Sequence, residues 1–140
     1  MYKNYLFSVA LLIFCQTSFA EKCPSVKDIK NHHASAWKAY DSDDGTPLPA
    51  KREAEFRKSA QEFALAEWTS ADKKTGSIHC YYRDNNGSDL EAYLAKSHFS
   101  LNNHKNYWYT VSGHMHCAAG MDKCEFNLLK NPHIARLANK

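Results

Sequence analysis

Four cysteines spread over a short chain constrain its fold more than any other feature. The sequence has 140 residues and five cysteines, of which Cys15 lies in an apolar N-terminal segment. The other four are Cys23, Cys80, Cys117 and Cys124. Four cysteines allow three pairings. We favour Cys117–Cys124, which closes a short loop between two predicted strands, and Cys23–Cys80, which joins the N-terminal segment to the predicted sheet. A metal–thiolate site is the alternative, although the chain has no Cys-x-x-Cys unit.

Residues 1–20 have the pattern of a secretory signal peptide. Lys3 supplies a positive charge, Leu6–Phe14 are apolar apart from one serine, and Ser18 and Ala20 are small residues at the positions that signal peptidase reads. The pattern predicts cleavage after Ala20 and a periplasmic or secreted location. The apolar run is too short to cross a bilayer, and no later segment has the ~20 apolar residues of a membrane helix. We therefore expect no membrane span.

The predicted mature chain, residues 21–140, has the length of a single disulfide-stabilised domain. The full sequence has 18 Lys and Arg against 15 Asp and Glu, and loss of Lys3 with the signal leaves 17 against 15. This charge bias is too small to indicate a nucleic-acid partner, and no basic run is interleaved with aromatic residues. Nucleic-acid binding is therefore not expected.

An apolar periodicity predicts a helix at the start of the mature chain. Ser25 is a candidate N-cap, with Asp28 three residues later. Residues at spacings of three and four then form one stripe of an amphipathic helix: Val26, Ile29, His33, Trp37 and Tyr40. The pattern predicts a helix over residues 25–40, and the charged segment 51–60 is typical of a short surface helix.

The chain beyond residue 62 has the composition of strands. Segments 63–70, 77–82, 89–95, 107–111 and 124–129 are rich in strand formers, and the fourth can extend to Cys117. Asn86-Gly87 is the strongest hairpin signal. Helices followed by hairpin-connected strands predict an α+β fold, in which the N-terminal helix, with the possible second helix, packs on an antiparallel sheet of about four or five strands.

His114 and His116 form a candidate half-site for a metal ion. Side chains alternate along a strand, so the two imidazoles point the same way. Zn(II) and Cu(II) both accept imidazole ligands. The sequence identifies no third ligand, and two surface histidines on an exposed strand explain the pattern equally simply. A copper or zinc cofactor is accordingly the alternative to no cofactor.

Tyr107, Trp108 and Tyr109 form a candidate protein-binding surface. Alternation sends Tyr107 and Tyr109 to one side of a strand and Trp108 to the other, so that one set enters the core. Tyrosine and tryptophan left on the surface supply much contact area at low entropic cost. The competing interpretation is cross-strand aromatic pairing that only stabilises the sheet.

Motifs of catalysis are missing from the sequence. It contains no Gly-x-Ser-x-Gly nucleophile elbow and no His-Glu-x-x-His helix. Cysteines held in disulfides supply no thiolate nucleophile. Enzymatic activity is therefore not favoured, and no catalytic residue is assigned.

A set of short motifs carries a resemblance over most of the mature chain. They are Cys23-Pro24-Ser25, the strand Ile78-His79-Cys80-Tyr81-Tyr82, the pair Tyr107-Trp108, and Cys117 followed by Cys124-Glu125-Phe126. This layout resembles small exported four-cysteine proteins of uncharacterised function from gammaproteobacteria of the Legionella and Coxiella kind. The resemblance implies a periplasmic or secreted protein and supplies no catalytic residues.

The sequence therefore predicts a non-enzymatic exported domain that binds another macromolecule, a protein or an envelope component, through its sheet. The alternative is a periplasmic copper- or zinc-binding protein that uses His114 and His116. A small hydrolase, or an inhibitor of one, is the third hypothesis.

Overall fold

In the computed structural model of the chain, residues 20–101 and 106–129 are described, and they form an antiparallel sheet of eight strands with two short helices. The predicted signal peptide lies outside the described residues, apart from Ala20. The strands are β1 (Ala20–Glu21), β2 (Lys38–Asp41), β3 (Glu62–Thr69), β4 (Gly76–Arg83), β5 (Asp89–Ser100), β6 (Tyr109–Val111), β7 (His114–Cys117) and β8 (Phe126–Leu128), and the helices are α1 (Val26–Lys30) and α2 (Ala50–Ser59).

The order across the sheet is β1-β8-β5-β4-β3-β7-β6. Strand β5 is long enough to pair with three neighbours. It pairs with β4 along one side, while β2 pairs with its first part and β8 with its last residues on the other. Strand β6 ends the sheet and, in the described part of the chain, pairs only with β7.

The predicted fold class is wrong, because the sheet is larger than expected and the N-terminal helix is much shorter. Ser25 does cap α1: its hydroxyl oxygen accepts a hydrogen bond from the Asp28 N–H at 3.1 Å. The helix nevertheless ends at Lys30, and His32 adopts a left-handed backbone with φ 58°. Residues 38–41 then form β2, paired with β5. The helical spacing up to Tyr40 therefore runs across a turn and a strand, since pairing with β5 outweighs a weak local preference.

A predicted hairpin turn and a predicted strand extension also differ from the structure. Asn86-Gly87 lies in a longer loop, in which the Asp84 carboxylate accepts hydrogen bonds from the N–H groups of Asn86 and Ser88. The segment from Tyr107 does not continue as one strand to Cys117. It reverses at Ser112-Gly113, where both residues have positive φ, as a two-residue hairpin turn requires.

One face of the sheet carries the core, and the side chains of β4 on the other face are only partly buried. Alternate residues of β4 are fully buried: Ile78, Cys80 and Tyr82. The ring of Phe56 in α2 packs on Tyr82, whose hydroxyl donates to the Pro24 carbonyl at 2.6 Å. The residues between these buried positions point to the other side, called here the outer face.

Two disulfides, Cys23–Cys80 and Cys117–Cys124, fasten the fold. This is the pairing favoured from the sequence. The first joins the segment before α1 to the middle of the sheet, and the second closes the loop between β7 and β8. All four cysteines are buried. Such disulfides are consistent with an oxidising compartment outside the cytoplasm.

Among the described residues, neither helix has the length and apolar character needed to cross a membrane.

Candidate functional site

Glu67 lies at the centre of the outer face because of simple strand alternation. Its neighbours along β3, Ala66 and Trp68, are buried on the core side. The register places Glu67 opposite His79 on β4 and opposite His116 on β7. Residues directly opposite on neighbouring strands bring their side chains together. Three strands therefore deliver one carboxylate and two imidazoles to one place.

The side chains of Glu67, His79, His116 and Tyr81 form a hydrogen-bonded group, called here the Glu67 cluster. The Glu67 Oε1 atom lies 3.1 Å from His79 Nδ1, and Oε2 lies 2.8 Å from His116 Nε2. The Tyr81 hydroxyl donates to Oε1 over 3.4 Å. The side chains of Glu67, His79 and His116 are only 17%, 20% and 18% exposed, so water screens these contacts incompletely.

The cluster holds Glu67 as a carboxylate. Hydrogen bonds from His79, and then from His116, lower the pKa of Glu67 from 4.5 to about 2, although partial burial opposes the change. Burial and the nearby Glu67 charge raise the pKa of the Tyr81 hydroxyl, which therefore stays protonated and remains a donor. An ionised carboxylate only accepts hydrogen bonds. His79 Nδ1 and His116 Nε2 must therefore carry protons, and the other nitrogen of each ring is left for other partners.

Beside the cluster, a row of stacked rings forms one wall of a groove. The His79 ring stacks on Tyr93 with centroids 4.6 Å apart, and Tyr93 stacks on Tyr40 at 5.7 Å. The space next to these rings, called here the groove, has a volume of about 310 Å³. It is lined by Ala36, Lys38, Tyr40, Gly45, Ser77, His79, Tyr93, Ala95, Lys96 and Ser97.

At the opposite end of the outer face, the outer edge of β6 pairs with no strand among residues 20–101 and 106–129, and it is called here the free edge. The rings of Tyr107 and Tyr109 are 48% and 50% exposed, and Val111 is 37% exposed. In the described part of the chain, three of the four large hydrophobic residues that are exposed belong to this short segment, and the fourth is Leu128. The amine of Lys123 lies 5.4 Å from the centre of the Tyr107 ring.

The structure separates the three aromatic residues predicted to bind a partner. Tyr107 and Tyr109 are exposed, as one set of the alternation requires. Trp108 is 6% exposed, and its indole N–H donates to the Glu125 carbonyl at 3.1 Å. Trp108 therefore belongs to the core and offers no surface to a partner.

The two histidines of the predicted metal half-site have different surroundings. His114 is exposed at the β6–β7 turn, whereas His116 is held by Glu67. Within residues 20–101 and 106–129, no three His, Cys, Asp or Glu side chains form a group that could hold a metal ion. Copper or zinc binding by His114 and His116 stays a prediction.

The Glu67 cluster also bears on the hydrolase hypothesis. A carboxylate that orients an imidazole is one part of a general-base arrangement. A nucleophile in contact with the imidazole is the other part. In the described structure, the only hydrogen-bond partner of the His79 side chain is Glu67, and the nearby Ser77 hydroxyl is bonded to Ser97 at 3.0 Å. The arrangement suits binding better than nucleophilic catalysis.

Sequence reasoning missed Glu67, His79 and Tyr93 as site residues. Glu67 stood among several glutamates with nothing to distinguish it. A signal did exist, since Glu67 and His79 each lie between two apolar residues of a predicted strand, which places both on a non-core face. Their contact depends on the register between strands, which no short-range pattern specifies.

Comparison with protein-family models, with curated proteins and with solved structures gives no match to this chain. A functional proposal therefore has to depend on the chain's own residues and their geometry.

Proposed function

We propose that this protein is an exported, non-enzymatic binding module that recognises an extended segment of a partner protein by strand addition at the free edge. The observation that carries the proposal is the concentration of exposed hydrophobic side chains at the edge of the sheet, with Tyr109 and Val111 on β6 and Tyr107 just before it. A periplasmic or secreted location is part of the proposal. It is supported by the two disulfides and by the signal-like pattern of residues 1–20.

The backbone of β6 has hydrogen-bonding groups that point away from the sheet. In a two-residue hairpin, the pair next to the turn, here Val111 and His114, exchanges both backbone hydrogen bonds, and such pairs alternate with pairs that exchange none. Tyr109 is therefore bonded to β7, while the N–H and C=O of Thr110 face outward. An extended peptide that runs beside β6 can bond to both groups of Thr110.

The side chains of the free edge supply the second part of the recognition. Tyr109 and Val111 are two residues apart and point to the same face, whereas the Thr110 hydroxyl contacts Met115 on the other face at 3.3 Å. A bound strand would place alternate residues beside Tyr109 and Val111. We therefore expect the partner segment to carry apolar side chains at every second position. Tyrosine is among the residues that supply large, rigid contact area at interfaces.

The experiment is a selection of peptides from a displayed random library against the folded, oxidised protein. Enriched peptides should bind the parent protein, and the Thr110→Pro variant should weaken them about tenfold or more, since proline removes the outward N–H. Proline is tolerated on edge strands, so the fold should persist. Thr110→Ala is the matched control, because it loses the same hydroxyl contact and keeps the N–H.

A second pair of variants tests the side chains. Tyr109→Ala should weaken the selected peptides, whereas Leu128→Ala, which removes an exposed apolar side chain from β8, should leave their affinity unchanged. Selection of no peptide above background would contradict the proposal. So would peptides that bind the Thr110→Pro and Thr110→Ala variants equally well.

A further inference from the structure

The lining of the groove contains no aspartate or glutamate. It has two lysines, one histidine, two tyrosines and two serines. The carboxylates that contact these residues, Glu67 and Glu21, are paired with His79 and Lys96. Ammonium groups donate hydrogen bonds only, and hydroxyl groups can donate them. A concave site with an unpaired ammonium group and hydroxyl donors attracts a ligand of negative charge.

We propose that the groove is a binding site for a small molecule that carries a carboxylate or phosphate group. This inference is independent of the free edge, since no residue of β6 lines the groove. The volume, about 310 Å³, is at the lower end of small-molecule sites and matches a ligand of monosaccharide or amino-acid size.

Lys38 provides the positive charge of the groove. It is exposed on β2 and has no ion-pair partner in the described part of the chain. Lys96 also borders the groove, but strand pairing places it opposite the buried Ile78, and its amine lies 5.8 Å from the centre of the Trp37 ring and 3.7 Å from the Glu21 carboxylate. The Lys96 charge is therefore already paired on the core side, and Lys38 is the cation that can close on a bound anion.

The Glu67 cluster fixes a second group, His79, before any ligand arrives. Glu67 accepts the Nδ1 proton, and stacking on Tyr93 sets the plane of the imidazole. In the neutral ring the remaining nitrogen, Nε2, is an acceptor, which suits a ligand O–H such as that of hydrogen phosphate or of a sugar hydroxyl. Groups that are already ordered lose little conformational entropy when a ligand binds.

The Ser77 and Ser97 hydroxyls complete the site. They bond to each other across β4 and β5 at 3.0 Å, and each can turn to donate to a ligand oxygen. The floor of the groove is thus made by neighbouring strands, whose positions the sheet fixes. The arrangement supplies ammonium and hydroxyl donors, with an imidazole acceptor beside them, within one small space.

The test is an NMR titration of the oxidised protein with inorganic phosphate, with glucuronate and with glucose. We expect saturable shifts at residues 77, 79 and 97 with at least one of the two anions and none with glucose. Phosphate alone would identify a phosphate-bearing ligand, and glucuronate alone a carboxylate-bearing ligand. Comparable shifts with glucose, or no saturable shift with either anion, would overturn the proposal.

Variants assign the effect to the groove. Lys38→Gln should weaken anion binding about tenfold or more, because it removes the unpaired ammonium group and keeps most of the side chain. Lys51→Gln in α2 makes the same change of net charge away from the groove, and its affinity should stay within about twofold of the parent. Equal weakening in the two variants would show that net charge alone draws the anion, and would refute a site in the groove.

Discussion

Replacing Glu67 with glutamine tests whether the Glu67 cluster stabilises the outer face of the sheet. The pKa of Glu67 falls from 4.5 to about 2 on folding, chiefly through hydrogen bonds from His79 and His116. At ~1.36 kcal/mol per pKa unit, this corresponds to about 3 kcal/mol of folding free energy. The three side chains are about one-fifth exposed, so some of this is lost to solvent screening. We expect Glu67→Gln to lower the free energy of unfolding by about 2 kcal/mol at pH 5.5.

The pH dependence of this loss separates a charge effect from a packing effect. Because the pKa of Glu67 is lower in the folded chain, its contribution is complete above about pH 5 and declines as the pH falls from 4.5 toward 2. At pH 2.5 less than about 1 kcal/mol should remain. Glutamine does not titrate, so the difference between parent and variant should shrink by more than half between pH 5.5 and pH 2.5.

Urea denaturation of the oxidised proteins, followed by tryptophan fluorescence, measures this difference at both pH values. Glu62→Gln is the matched control, since Glu62 begins the same strand and is exposed. Its stability should stay within about 0.5 kcal/mol of the parent. A loss in Glu67→Gln that is the same at pH 5.5 and pH 2.5 would refute the electrostatic explanation.

Three further predictions concern the stability of the fold. Replacing both cysteines of Cys23–Cys80 by alanine should lower the free energy of unfolding in urea by about 4 kcal/mol, because this disulfide spans 57 residues. The same change at Cys117–Cys124, which spans 7 residues, should lower it by about 2.4 kcal/mol, since loop-closure entropy grows with loop length. Equal losses would contradict this explanation. Gly76→Ala should lower stability by about 1–3 kcal/mol, since a Cβ there would lie 2.1 Å from the Thr69 carbonyl oxygen, and an unchanged melting temperature would show that β3 and β4 move apart easily. Tyr82→Phe should cost about 1–2 kcal/mol by leaving the buried Pro24 carbonyl without its donor, and a neutral effect would mean that water reaches it.

The parts of the fold that short-range patterns specify were predictable. Ser25 caps α1 as its spacing to Asp28 indicates, and the charged segment after Pro49 forms α2 over residues 50–59. The disulfide pairing followed from loop lengths and predicted strands. The residues of the helix cap and of α2 are close in sequence, and four cysteines have only three possible pairings.

The parts that depend on distant pairing were not predictable. Residues 38–41 become a strand because they pair with residues 92–95 of β5, which are distant from them in sequence. Two-residue β1 exists only through its pairing with β8. The Glu67 cluster has the same origin, since it forms only when β4 and β7 align on the two sides of β3. A strand pattern predicts which face a side chain takes, and the register alone decides which side chains meet.

The two proposed sites share the outer face but are separated by the sheet itself. The groove extends over β2, β5 and β4, whereas the free edge is β6, three strands from β4 in the order β4-β3-β7-β6. Neighbouring strands lie ~4.8 Å apart, so about 14 Å separate β4 from β6. Changes at that separation with no shared partner act additively. Thr110→Pro should therefore leave anion binding intact, and Lys38→Gln should leave peptide binding intact. Loss of both activities in either single variant would mean that one binding surface, rather than two, occupies this face.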